Sequence, residues 1–378
     1  VWQGGKENYL YTSLFIQQYR QVTSETLMAI KDDFSRHAHF IEQYKNGNVN
    51  KFEAFLRRVA KGLRGELLKT NTVTSQSRIE AKLKFVEDLI TTEFTAYTDE
   101  IAEQIELFAV SEAGFVAETV KNASGVSFTL PSDAQLIAAV NARPFNTKLL
   151  KDYLKDFTSQ QAKAVSNAVS MGFYEGKTTP EIVRDIIGTK AQNFKNGTLH
   201  TSRTSAETMV RTALSHTSSV ARNKTYEDND DLIPYYEWVS TLDGRTSPIC
   251  RSRDGMVWKV NKGPLPPAHP NCRSTTAPLF KEDVKVTKGS TKTGPEKLTK
   301  IPEGGTRASI DGQVSADLTY NDWLKRQTKA FQVDVLGKQK AELFRKGGLT
   351  MDQFVNNKGQ ELTLDQLQAK YPTAWGKI

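Results

Sequence analysis

Cys250, His269 and Cys272 are the residues whose types and spacing carry chemistry. Both cysteines of the 378-residue chain lie in SPICRSRDGMVWKVNKGPLPPAHPNCRS, from Ser247 to Ser274, and His269 stands three residues before the second. Two thiolates and an imidazole are soft and borderline donors of the kind zinc prefers, and Asp243 or Asp254 offers an oxygen for a fourth position. The same cysteines admit a nucleophile, since Arg245, Arg251 and Arg253 around Cys250 favour a thiolate and His269 is a base. A disulfide, and plain burial of two small soft side chains with His269 on a backbone carbonyl, are the other readings. The spacing is not a CxxC pair on each side, and H-x-x-C alone does not choose among the four. An HNH-like nuclease needs a catalytic histidine ahead of its metal ligands, whereas His269 is the only histidine in this stretch. There is no P-loop, GxGxxG, HExxH or kinase motif set.

These residues need a frame to position them. In YYEWVSTLDGRTSPICRSRDGMVW, Tyr236, Trp238 and Ser240 alternate as a strand, Asp243-Gly244 marks a turn, and Asp254-Gly255 is a hairpin signal. GPLPPAHPNC is a proline-rich loop that holds no regular ladder, and RSTTAPLF resumes as a short strand. This predicts a small α+β domain over roughly Leu199 to Phe280. The helix SAETMVRTALSHTSSVARNKTYED leads into it, with a capping box at Thr204 and Glu207. On that helix Arg211, Ser215, Ser218 and Arg222 form one stripe. The stripe is either a solvated face or a set of groups that ion-pair with the following domain or an anionic partner.

Upstream, the pattern is helical from about Ser24 to Leu68, interrupted by NGNVN at Asn46–Asn50. It is helical again from about Ser75 to Asn122, where Ile79, Leu83, Val86, Leu89 and Ile90 recur at three- and four-residue steps. A further capping box at Thr158 and Gln161 opens QAKAVSNAVSMGFYEG, and Thr179-Pro180 opens EIVRDIIG. Downstream, VKVTKGSTKTGPEKLTK is lysine-rich with little apolar content and reads as a flexible linker. Trp323, Leu324, Phe331, Val335 and Leu336, with Leu343, Phe344, Leu349, Met351, Phe354 and Leu362, then form a compact second motif. The domain reading is a helical scaffold over 1–135, a helical hairpin region over 136–198, the α+β domain over 199–281, a flexible basic linker over 282–312 and a C-terminal motif over 313–378. The fold class is α+β, mainly α, with a helical N-terminal half and one short β-sheet.

Charge and hydropathy bound the partners. Fifty-one Lys and Arg against 43 Asp and Glu leave a net charge of +8, a mild excess that suits nucleic acid or an acidic protein. Lys285, Lys288, Lys292, Lys297 and Lys300 concentrate it in the linker and are the candidate DNA contacts. The mean hydropathy of -0.51 favours an elongated architecture over one large core. No stretch approaches the apolar length that spans a bilayer, and the N-terminal residues are too polar for a secretory signal. These features place the chain in a cytosol, where two cysteines do not make a disulfide framework.

The ordered pattern VRTALSHTSSVARNKTY, YYEWVSTLDGRTSPICRSRDGMVW and PPAHPNCRSTTAPLF resembles the head-morphogenesis domain of the phage Mu F protein family, over about Thr201 to Phe280. EGKTTPEIVRDIIG and YNDWLKRQTKAFQVDVLGKQKAELFRKGGLTMDQFV resemble the flanks of such minor head proteins. The resemblance implies Arg211, Thr212, Asp243, Arg245, Cys250, Asp254, His269, Cys272 and Arg273 as signature positions. Many relatives end the motif Cys-Arg-Cys, where this chain has Cys272-Arg273-Ser274. The resemblance implies a minor capsid protein of the virion head, present in the host cytoplasm during assembly. Its implied roles are procapsid assembly at the portal or inner capsid, and genome packaging or ejection. The implied partners are the portal protein, major capsid or scaffold proteins and packaged double-stranded DNA, with no membrane in the assembled head. The cofactor these residues admit is zinc. The alternative is a metal- or thiol-dependent enzyme, a nuclease or hydrolase, built on Cys250, His269 and Cys272.

Overall fold

The computed structural model describes residues 24–69, 75–144, 147–281, 284–287, 297–300 and 304–378. Among the described residues six helices come first: α1 (Ser24–Leu67), α2 (Gln76–Ser124), α3 (Asp133–Ala142), α4 (Leu150–Tyr174), α5 (Thr179–Ile187) and α6 (Thr198–Glu227). The axis of this half is α2. Its stripe of Val86, Ile90, Phe94, Tyr97, Ile101, Ile105 and Phe108 is buried along its length, and α1, α4 and α6 all pack on it. Phe52, Phe94 and Tyr97 are fully buried, each contributing about 1.5–3 kcal/mol by leaving water. One core runs through all six helices, so the expected boundary at 135/136 does not separate two cores.

Four local readings are corrected by the structure. NGNVN does not break α1, because Val49 is buried, Asn48 Nδ2 donates to Tyr44 O at 3.0 Å and Tyr97 Oη donates to Asn48 O at 3.4 Å. Thr158 and Gln161 are buried in the middle of α4, and Thr204 lies inside α6, whose N-cap is Gly197. For α5 the cap is Thr178 rather than Thr179, in a capping box with Glu181.

The predicted small sheet is present. Strands β1 (Tyr235–Val239), β2 (Val257–Lys259) and β3 (Thr275–Leu279) form an antiparallel sheet in the order β2-β1-β3, with Trp238 opposite Thr276 and Tyr236 opposite Trp258. A short helix, α7 (Pro248–Arg253), is inserted between β1 and β2. Asp254-Gly255 is therefore the exit turn of α7, not a tight hairpin, and Gly255 takes the left-handed conformation there with φ 77°. Helix α6 is buried between the bundle and β3.

The stretch expected to be a flexible linker, 282–312, carries paired backbone in its described residues. Strand β4 (Val284–Thr287) pairs antiparallel with β5 (Lys297–Lys300), and β6 (Thr306–Ser309) with β7 (Gly312–Ser315). Thr306 N donates to Asp32 Oδ1 of α1 at 2.8 Å. The C-terminal motif follows as α8 (Tyr320–Arg326), α9 (Lys329–Leu336), α10 (Lys338–Glu342), α11 (Leu364–Lys370) and α12 (Pro372–Trp375), with tight turns between them. Leu242, which follows β1, is buried in its core beside Tyr320 and Trp323. The motif is thus docked on the α+β domain. Among the described residues, no helix is long and apolar enough to cross a membrane.

Candidate metal centre

Strand β1, helix α7 and the loop before β3 bring Cys250, His269 and Cys272 together. Pleating of β1 turns Trp238 inward, where its Nε1 donates to Ser240 Oγ at 3.0 Å and Ser240 Oγ donates to Cys250 O at 2.8 Å. That chain sets the inner face of α7 against the indole, and Trp238, Cys250 and Cys272 form one small core. The proline-rich loop is fastened from both sides. Tyr236 Oη donates to Pro264 O at 3.0 Å, Asn271 N donates to Thr212 Oγ1 at 3.1 Å, and Ser215 Oγ donates to Cys272 O at 3.0 Å. Gly263 is required because a Cβ there would stand 2.3 Å from Trp258 and the Tyr236 hydroxyl.

Within this frame Cys250 Sγ lies 3.6 Å from Cys272 Sγ and 3.3 Å from His269 Nε2. The three donor atoms all fall within 4.8 Å of one another. Both cysteines are free thiols with 1% exposure. His269 Nδ1 lies 2.8 Å from Pro270 O, which places the proton on Nδ1 and leaves the Nε2 lone pair toward the sulfurs. The thiols titrate as a pair. Contact with Cys250, and after it the imidazole, holds the Cys272 sulfur well below the ordinary thiol range; contact with Cys272 and burial push the Cys250 thiol up.

Asp243 is not part of this cluster, which corrects the expectation that it supplies a fourth ligand. Its carboxylate accepts a fork from Arg273, at 2.6 and 2.9 Å, and the Arg245 backbone N–H at 3.0 Å. Burial raises its pKa, but the bonds from Arg273 and Thr246 outweigh burial and the net shift is down. Asp254 is likewise committed elsewhere. It accepts from Ser240 N at 2.6 Å, Tyr320 N at 2.6 Å and both terminal nitrogens of Arg307 at 3.0 and 2.8 Å. The Arg245 side chain is 83% exposed.

The stripe on α6 is interior rather than solvated. Arg211 reaches Glu42 and Glu207 at 3.0 Å and also meets Asn46. Thr212 carries Asn271, and Ser215 holds Cys272. Ser218 Oγ and Arg222 Nε donate to Glu112 Oε2 at 2.7 and 2.9 Å, and His37 meets its other oxygen. Arg222 also reaches the following sheet, donating to Thr275 Oγ1 at 2.7 Å. Burial alone raises the Glu112 pKa, but Arg222, His37 and Ser218 bring it down to about 2. Glu112, His37 and Arg307 escape sequence reasoning. For Arg307 a signal existed, since TRASIDGQVS alternates around Asp311-Gly312; for Glu112 and His37, helical periodicity contains none.

Residues 162–277 match the family model described as Phage Mu protein F like protein. Over these residues the chain is similar to that family. The matched span begins in α4 and ends in β3. It therefore contains the positions that the resemblance implies as its signature, the cysteine–histidine cluster and all of α6, while α1–α3, β6–β7 and the C-terminal motif lie outside it. No curated protein and no solved structure matches the chain. Of the candidate DNA contacts, Lys285 is exposed in β4 and Lys297 and Lys300 lie in β5, whereas Lys288 and Lys292 lie outside the described residues.

Proposed function

We propose that this chain is a phage Mu F-like protein and a minor structural component of a phage head. It joins the procapsid at the portal or the inner capsid wall, and acts in genome packaging or ejection by binding rather than by turnover. The observation that carries this reading is the family match across α4 to β3. The commitment of the signature charges supports it. Asp243 is tied to Arg273, Asp254 to Arg307 and Arg211 to Glu42 and Glu207. Groups held in such pairs brace a domain; an acid or base in turnover needs a lone pair or proton free for substrate. A shape built for contact also suits α1 and α2, whose 44 and 49 residues extend about 65–75 Å at 1.5 Å per residue.

The test is purification of procapsids assembled with and without portal protein. The chain is expected in portal-containing procapsids at low copy and depleted without portal. Equal incorporation in both would move its docking site to the capsid wall. Absence from both would refute a head component.

A further inference from the structure

We propose that Cys250, His269 and Cys272 bind one zinc ion, with a fourth oxygen donor supplied by the Ser247 hydroxyl or a water it holds. A tetrahedral ion with Zn–S of about 2.3 Å and Zn–N of about 2.0–2.1 Å sets its sulfurs about 3.8 Å apart and each sulfur about 3.6 Å from the nitrogen. The protein holds the two separations from Cys250 Sγ at 3.6 Å to Cys272 Sγ and 3.3 Å to His269 Nε2, each within a few tenths of an ångström of these values, and all three donors within 4.8 Å of one another. Nε2 is the correct nitrogen, because Nδ1 is occupied by the Pro270 carbonyl, the outer contact that orients a metal-binding histidine. Ser247 is the N-cap residue of α7; its hydroxyl makes no cap bond, and the buried oxygen faces the Cys250 thiol.

The competing chemistries fit less well. A disulfide requires the sulfurs at about 2.05 Å, far inside the observed separation. A nucleophile requires access, and both sulfurs lie under Trp238, Ile249 and Ala268 with 1% exposure. Two thiolates and a neutral imidazole around Zn²⁺ make a site of zero net charge, which a buried pocket tolerates. The ion would join α7 to the loop ahead of β3. It thereby supplies the cross-link that a proline-rich loop, poor in backbone donors, does not make for itself. This role stands whether or not the chain docks at a portal.

The test uses the full chain. Purified protein should carry one zinc per chain through gel filtration. After chelation it should take up Co²⁺ with the d–d bands of a tetrahedral site and sulfur-to-cobalt charge transfer. Cys250→Ser, Cys272→Ser and His269→Ala should each weaken metal binding by at least about tenfold. Asp243→Asn should bind as the wild type does. Ser247→Ala should retain the ion but shift the cobalt spectrum. Because a cysteine variant can fail to fold, the wild type is also probed with a thiol reagent in mild denaturant, where the zinc-loaded protein should react more slowly than the chelated protein. Folded wild-type protein that carries no zinc and shows no sulfur charge transfer with Co²⁺ would overturn the proposal. So would metal binding that survives both cysteine substitutions in folded protein.

Discussion

Glu112→Gln probes the interior of the protein most directly. The carboxylate is fully buried and serves Arg222, Ser218 and His37 at once. Glutamine keeps the shape and an acceptor oxygen but leaves the Arg222 guanidinium, which has no exposure, facing a neutral amide. Two routes size the loss. Removing one partner of a buried ion pair costs about 3–5 kcal/mol. Independently, the carboxyl is held at about 2 against an ordinary 4.5, which at about 1.4 kcal/mol per pH unit amounts to roughly 3 kcal/mol. Both place the variant near the lower figure. The sign follows from the depressed folded pKa. The stability is fully present above about pH 4.5 and is lost as pH falls toward about 2. Urea unfolding followed by far-UV circular dichroism should show Glu112→Gln destabilised at neutral pH, with a shallower acid dependence than the wild type. Adding Arg222→Met should cost less than the two single losses together, because the second change removes the stranded charge. An unchanged urea midpoint at neutral pH, or strict additivity, would refute the reasoning.

Arg307→Met removes the donors that hold Asp254, Ser240 O and Leu318 O. It should cost about 3–5 kcal/mol and make the segment between β7 and α8 the first site cut in limited proteolysis. His216 is buried with its Nε2 on Val140 O, and burial, its largest cause, lowers its pKa to about 4 from 6.5. Its ring should stay neutral to about pH 4 by NMR, and its contribution to stability, present above pH 6.5, should fall between those values because the unfolded chain takes the proton first. Replacing Lys285, Lys288, Lys292, Lys297 and Lys300 by glutamine should weaken DNA binding and flatten its salt dependence, by about 0.9 in log–log slope for each phosphate no longer neutralised. Identical binding across salt would make this segment a spacer.

Much of the site was legible in the chain. Strand alternation around Tyr236 and Trp238, two Asp-Gly turns and a proline-rich loop are local signals, and together they require the chain to fold back so that Cys250 approaches His269 and Cys272. Helical periodicity likewise identified the long helices and the stripe of Arg211, Ser215, Ser218 and Arg222. It did not say what faces the stripe. Periodicity assigns residues to one side of a helix, while burial depends on elements far away in sequence, such as Glu42 and Glu112. The same limit misled the choice of Asp243 as a ligand. Carboxylate chemistry suits zinc and arginine equally, and only the return of β3 sets Arg273 against it. Asn-Gly at Asn46 has a weak local preference, and such a preference, worth at most about 1 kcal/mol per residue, yields to the burial of Val49. Local signals therefore determined the elements and the cysteine–histidine cluster. The partners of the buried charges were decided by tertiary structure, because an ion pair forms between groups that meet in space and carries no mark in the residues between them.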